Sequence, residues 1–72
     1  MGVQKFWMGT EPKACDVCHG PYAGTMIDGR MQEGMWACMC RQCHMALGVG
    51  VGLGKGQKYQ QQPDGRWLKV EG

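Results

Sequence analysis

The chain has 72 residues, a length that allows a single domain with little surface to bury. Domains of this size usually need a metal, disulfides or a partner to offset chain entropy. The formal charge is only +2, and the hydrophobic residues include seven methionines and five cysteines but form no long aliphatic run. Composition therefore argues against a strongly basic nucleic-acid-binding protein and against a membrane-spanning segment.

Residues 1–13 are interpreted as a lead-in that Phe6 and Trp7 anchor onto the rest of the domain. The first residues lack the apolar segment that is typical of a signal peptide. We therefore expect a protein of the reducing cytoplasm, where paired cysteines favour metal binding over disulfides.

Four of the five cysteines form two Cys-x-x-Cys pairs, and twenty-one residues separate the pairs. This spacing predicts two zinc knuckles that together supply four thiolates to one structural Zn²⁺. In short chains, such a site contributes about 10–16 kcal/mol of apparent binding energy, which is folding energy. Four thiolates leave no open position for an activated water, so the protein is not expected to be an enzyme. The predicted ligands are Cys15, Cys18, Cys40 and Cys43.

Three neighbouring residues leave alternatives open. Cys38 could replace a ligand, although its place two residues before Cys40 on a strand favours a small, buried, apolar role. His19 and His44 complete two Cys-x-x-Cys-His strings, which also occur at c-type haem attachment sites. Two haems would require export, so the histidines are interpreted as surface groups or as donors to ligand sulfur. A redox role for the pairs would require a strand–helix unit that the chain lacks.

Between the two pairs, the chain is expected to form a β-hairpin. Asp28-Gly29 is typical of a hairpin turn, so strands are predicted near 23–27 and 34–39. Trp36 is then expected on the returning strand, packed over the metal site.

A short helix is expected after the second pair, over residues 44–47, and Gly48 ends it. The predicted fold class is a small α+β zinc-binding domain with two knuckles, β-hairpins and at most one short helix. The length of this helix decides between a treble-clef and a zinc-ribbon-like arrangement, and the sequence leaves both open.

Glycine occupies every second position from 48 to 56. In an extended chain these glycines would share one face, and Val49, Val51 and Leu53 would share the other and pack on the zinc module. The alternative is a flexible linker, because glycine-rich runs are often mobile.

The C-terminal residues are predicted to form a second hairpin, with strands near 57–62 and 66–70 across Pro63-Asp64-Gly65. Basic and aromatic residues are interleaved here, a combination that suits contact with single-stranded nucleic acid. A hairpin with a solvated basic face is the plainer interpretation. The candidate binding residues are Lys55, Lys58, Tyr59, Arg66, Trp67 and Lys69. The single domain 1–72 thus divides into a lead-in (1–13), a zinc module (14–47), a Gly-rich strip (48–56) and a C-terminal β-hairpin (57–72).

Several of these strings resemble small zinc-finger proteins encoded by tailed bacteriophages, over about residues 13–70. They are the two Cys-x-x-Cys pairs, Asp28-Gly29, Gly34-Met-Trp36-Ala and Gly52-Leu-Gly-Lys-Gly-Gln-Lys-Tyr59, the last being the most distinctive. The resemblance implies zinc on the four paired cysteines and an accessory protein in the cytoplasm of an infected bacterium. It implies no particular activity.

Two functions remain after these exclusions. The chain alone carries a formal charge of +2. Four thiolates add four negative charges and Zn²⁺ adds two positive charges, so the zinc-loaded protein is formally neutral. The first hypothesis is a non-enzymatic module that contacts nucleic acid through its basic, aromatic C-terminal part. The second is a module that binds a host or phage protein through the Gly-rich strip, or a small virion component. No small-molecule substrate and no membrane partner are expected, since no nucleophile–base pair or open metal site can be assembled.

Overall fold

The computed structural model describes residues 4–72, which form a four-stranded antiparallel sheet and one short helix. Across the sheet, the strand order is β2-β1-β3-β4. The predicted class of a small α+β domain is therefore confirmed. The elements are β1 (Thr25–Arg30), β2 (Trp36–Met39), α1 (Arg41–Leu47), β3 (Gly56–Gln61) and β4 (Trp67–Glu71). Among the described residues, no helix is long and apolar enough to cross a membrane.

The first hairpin turns later than predicted. Asp28 and Gly29 lie inside β1, and the chain reverses over residues 31–35, where the Met31 N–H donates to the Met35 carbonyl oxygen at 2.7 Å. The prediction of a turn at Asp28-Gly29 is therefore wrong. A Cβ on Gly29 would lie 3.3 Å from the Lys55 carbonyl oxygen. The absence of a side chain at Gly29 therefore allows the backbone at Lys55 to lie close to β1.

The core lies on the sheet face that carries Met26, Tyr59 and Trp67, all of which are buried. Trp7 packs edge-on against Tyr59, and Tyr22 packs edge-on against Trp67, with 5.6 Å between ring centroids in both pairs. The segment before β1 therefore covers this face. Helix α1 contacts only β1 and β2, so the opposite face is covered over half of the sheet and left open over β3 and β4.

The C-terminal hairpin agrees with the prediction: β3 and β4 pair across a turn in which the Gln62 N–H donates to the Arg66 carbonyl oxygen at 2.7 Å. The lead-in extends the sheet beyond β4. The Trp7 N–H donates to the Trp67 carbonyl oxygen at 2.9 Å, and the Lys69 N–H donates to the Lys5 carbonyl oxygen at 2.8 Å. Phe6 consequently lies opposite Leu68, on the open face.

The Gly-rich strip is neither an extended strand nor a free linker. Gly50, Gly52 and Gly54 have φ values of 119°, 132° and 76°, which fold the chain into turns and destroy the predicted alternation of faces. Backbone hydrogen bonds fix the strip to β1: the Val49 N–H donates to the Arg30 carbonyl oxygen, and the Arg30 N–H donates to the Lys55 carbonyl oxygen. Leu53, which was expected to pack on the module, is fully exposed.

Candidate metal centre and candidate binding surfaces

The four paired cysteines lie together at one end of the β1–β2 hairpin. Their sulfur atoms are all within 4.8 Å of one another. The Sγ atoms of Cys18 and Cys40 are 3.8 Å apart, well beyond the length of a disulfide, and all five cysteines are free thiols. Cys15 and Cys40 are buried, whereas Cys18 is exposed and Cys43 half-buried. The four cysteines are therefore positioned to hold a metal ion.

The first pair lies in a tight loop before β1. The His19 N–H donates to the Cys15 carbonyl oxygen, and the Cys15 N–H donates to the Gly20 carbonyl oxygen, both at 2.9 Å. His19 adopts a left-handed backbone (φ 61°) to close this loop. The result is a knuckle that points two sulfur atoms to the same side.

The second pair begins helix α1. Cys40 is the N-cap residue, and its side chain makes no capping hydrogen bond. Cys43 lies in the first helical turn, and the His44 N–H donates to the Cys40 carbonyl oxygen at 2.9 Å. The observed order, in which a loop pair, a hairpin and a second pair that opens a helix follow one another, agrees with the predicted class of a small α+β zinc-binding domain.

Backbone N–H groups surround the buried sulfur of Cys15. The Cys40 N–H lies 3.2 Å and the Val17 N–H 3.4 Å from Cys15 Sγ, and the Gly20 N–H makes a similar bond of 3.4 Å to Cys18 Sγ. Burial by itself raises the pKa of Cys15, but backbone hydrogen bonds from Cys18, Cys40 and Val17 outweigh it and lower the pKa to about 6. The loop therefore favours a thiolate at this position, as a metal ligand requires.

Cys43 holds its proton more firmly than a free thiol does. The pKa of Cys43 is raised to about 12, first by its side-chain hydrogen bond with Cys40 and then by burial. A divalent ion held by Cys15, Cys18, Cys40 and Cys43 would favour the thiolate form of these ligands. An all-thiolate donor set at this spacing fits Zn²⁺ in a closed tetrahedral shell.

The three residues that left alternatives open lie outside this set. Cys38 is half-buried on β2, and burial, followed by the charges of Asp28 and Asp16, raises its pKa to about 11. His19 is exposed. His44 is half-buried, and its Nε2 atom lies 3.0 Å from the Gly50 carbonyl oxygen, so it links α1 to the Gly-rich strip.

The structure does not bring the six candidate nucleic-acid-binding residues to one surface. Tyr59 and Trp67 are only 8% and 5% exposed, so their rings belong to the core and are not available for stacking on bases. The prediction read these two rings as exposed because alternation alone does not say which face of a hairpin is covered. Lys69 lies opposite Tyr59 and is half-buried on that same face.

The other three cations lie elsewhere. Lys58 points to the open face, and its Nζ atom is 3.8 Å from Glu71 Oε1. Arg66 stands over the Phe6 ring at 4.2 Å from its centroid, and its Nε donates to Asp64 Oδ2 at 2.7 Å. Lys55 is exposed on the Gly-rich strip. Acidic neighbours thus offset two of these three charges.

Two features of the surface were not predicted. Trp36 is 51% exposed at the end of β2 away from Cys40, so the expectation that it packs over the metal site is wrong. Asp16, between the first two ligands, bonds the edge of β2. The local sequence gives only a weak signal for the exposure of Trp36 or for the bond of Asp16, because both depend on how the hairpin and the ligand loop meet.

Other large apolar side chains are exposed as well. They are Met8, Met35, Met45, Leu47, Leu53 and Val70.

Comparison of the chain with models of protein families, with curated proteins and with solved structures finds no match.

Proposed function

We propose that this protein is a zinc-stabilised, non-enzymatic binding module whose partner is another protein. The donor set of four closely spaced sulfurs supports zinc, and the size of the chain supports a structural role for the ion. The observation that carries the partner assignment is a group of exposed apolar side chains at one end of the molecule. We call this group the apolar end; it consists of Met35, Met45, Leu47 and Leu53. Trp36 is exposed too, but it pairs with Arg30 on the sheet face away from α1 and is not part of this group.

The apolar end combines two parts of the chain, namely the hairpin turn over residues 31–35 and the continuous run from α1 into the Gly-rich strip. Arg30, the last residue of β1, pairs with Trp36 and bonds the Gly-rich strip through both of its backbone groups. In addition, the Gln32 N–H donates to the Leu47 carbonyl oxygen at 2.8 Å. The hairpin turn, the C-terminal end of α1 and the strip therefore meet here. Exposed apolar groups that are gathered in this way mark interaction sites more often than isolated ones do.

Leu53 is the best-defined anchor of the apolar end. It lies in a tight turn in which the Lys55 N–H donates to the Gly52 carbonyl oxygen at 3.0 Å, and Gly54 supplies the positive φ. The Gly52 N–H closes the base of the turn on the Gly56 carbonyl oxygen at 2.8 Å. A side chain presented by a closed turn loses little backbone entropy on binding. Methionine side chains beside it can adapt to the surface of a partner.

The partner fits a protein with an apolar pocket, in which Leu53 is buried at the centre of the interface. The resemblance to phage zinc-finger proteins supports a host or phage protein as the source. The bonding of the strip to β1 supports the Gly-rich segment as part of this interface.

Site-specific photo-cross-linking tests the proposal. A photoreactive amino acid at position 53 of the zinc-loaded protein is expected to capture a partner from bacterial or infected-cell extract, which is then purified for calorimetry. Leu53→Asp should weaken the measured affinity at least about tenfold, because a charge would enter an apolar pocket. Met8→Asp is the matched control, since Met8 is equally exposed but lies in the lead-in. Equal affinity of the Leu53→Asp variant and the wild type would refute the assignment.

Nucleic acid is the second candidate, and one observation favours it. Arg66 is held over Phe6, leaving the outer face of its guanidinium group toward solvent on the same open face as Lys58. Bases can stack on arginine planes, and both cations can contact phosphates. An NMR titration of zinc-loaded protein with short single- and double-stranded DNA and RNA over a salt series tests this. Salt-sensitive shifts at Lys58 and Arg66 that Arg66→Gln abolishes would support it. Absence of shifts at low salt would exclude it.

A further inference from the structure

The exposed edge of β2 is covered at Cys38 mainly by Asp16, and the Tyr22 hydroxyl adds a longer bond of 3.5 Å to the Cys38 carbonyl oxygen. β2 is the outermost strand on its side of the sheet, so half of its backbone groups point away from β1. The Cys38 N–H donates to Asp16 Oδ2 at 2.9 Å, and the Asp16 N–H donates to the Cys38 carbonyl oxygen at 2.9 Å. Asp16 therefore takes the place that a neighbouring strand would occupy at Cys38.

The sequence of β2 offers no other protection of this edge. Its four residues, Trp-Ala-Cys-Met, include no charge and no proline, the usual devices that prevent edge strands from pairing. On the opposite side of the sheet, the lead-in bonds β4 and fills that role. Without Asp16, β2 would present an uncharged strand with free donors and acceptors.

Asp16 belongs to the metal-binding loop. It follows Cys15 directly and precedes Cys18 by two residues, and the bonds between Cys15, His19 and Gly20 hold this loop closed. A metal ion on the two sulfurs fixes the same loop from its other side. The position of Asp16 against β2 is thus coupled to the loading of the site.

We propose that the metal-loaded loop shields the β2 edge from a second copy of this chain, and that release of Asp16 allows two β2 strands to pair. The occupant is a second copy because two identical antiparallel strands pair about a twofold axis, and their outward-pointing groups at Cys38 are self-complementary. The uncharged strand also brings no like charges together in such a pair. This inference depends on the metal site and not on the protein partner proposed above.

Asp16→Pro in the zinc-loaded protein tests the inference, because proline removes both the carboxylate and the N–H that bond Cys38. Asp16→Asn is the matched control that retains both bonds. Wild type and Asp16→Asn are expected to be monomeric by light scattering, with slow hydrogen exchange at the Cys38 amide. Asp16→Pro should speed this exchange about tenfold at low protein concentration. At rising concentration it should form a dimer in which amides of Trp36–Met39 become protected again.

Removal of zinc from the wild type with a chelator should produce the same dimer and the same protected amides. The Asp16→Pro variant keeps the four metal ligands, so its result is independent of how far the metal-free chain unfolds. A zinc-loaded Asp16→Pro variant that is monomeric at all concentrations, with a rapidly exchanging Cys38 amide, would overturn the inference. A dimer whose newly protected amides lie outside β2 would overturn it as well.

Discussion

Gly29 and Gly56 face each other across β1 and β3 so closely that a Cβ on Gly56 would lie 3.0 Å from Gly29 Cα. The same Cβ would lie 3.1 Å from the Gly50 carbonyl oxygen. Backbone atoms cannot yield as the end of a side chain can. The close approach of the Gly-rich strip to the sheet therefore depends on the missing side chains of these two residues.

Gly56→Ala should lower the free energy of unfolding by about 1–3 kcal/mol, because the added methyl group forces β1 and β3 apart. Chemical denaturation of the zinc-loaded protein measures the loss. Gln60→Ala, on an exposed position of the same strand, is expected to change stability by less than about 0.5 kcal/mol. Equal stability of the two variants would show that the strands do not approach so closely.

Ligand replacement should separate Cys43 from Cys38. Cys43→Ser is expected to lose the bound metal and the native chemical-shift dispersion, because the four-sulfur shell is broken. Cys38→Ser should retain one zinc per chain and the native spectrum. Native mass spectrometry and elemental analysis count the metal in both. A Cys43→Ser variant that stays folded with one zinc would contradict the assignment of the ligands.

The apparent zinc affinity should rise with pH, because binding replaces protons on the thiols. Cys15, with its pKa lowered to about 6, is mostly ionised at neutral pH, whereas Cys43, with its pKa raised to about 12, must give up a proton. At pH 7, zinc binding is thus expected to release fewer than four protons per chain. Below pH 6 it should release more protons than at pH 7, because Cys15 is then protonated too. Competition with a chromophoric chelator measures the zinc affinity, and the pH change in weak buffer measures the number of protons released. An affinity that is constant from pH 5.5 to 8 would exclude a thiolate site.

Two tryptophans in the sheet should respond very differently to truncation. Trp67→Ala is expected to cost about 3–5 kcal/mol, since it empties the centre of the core against Tyr22. Trp36→Ala should leave the unfolding free energy nearly unchanged, because the ring is half exposed. Thermal or chemical unfolding with zinc present decides this. A large loss for Trp36→Ala would place that ring in the core and contradict its exposed position.

The spacing of the cysteines made the four-sulfur cluster predictable, because two Cys-x-x-Cys pairs on a short hairpin can meet only at its open end. The position of the hairpin turn was not predictable in the same way. Asp28-Gly29 is a good local signal, but the approach of Lys55 requires glycine within the strand. A rule for turns that uses only neighbouring residues does not include a contact between residues as far apart in the chain as Gly29 and Lys55.

The burial of two candidate binding residues was missed for a related reason. Tyr59 and Trp67 were chosen because basic and aromatic residues are interleaved in the C-terminal hairpin, and the register places both on one face of it. The interleaving did not reveal that the lead-in and Tyr22 lie on that face, because such packing is set by segments outside the hairpin. The exposure of Leu53 was hidden by the assumption of an extended strip, which the positive φ values of its glycines exclude.

The pairing of the lead-in with β4 has a consequence for the order of assembly during synthesis. All four metal ligands precede β3, so the loop, the first hairpin and α1 can close around an ion while the rest of the chain is still being made. Lys5–Trp7, in contrast, must wait for Trp67–Glu71, nearly the whole chain later. The nascent protein is therefore expected to gain its metal first and to complete its aromatic core only when the last strand arrives.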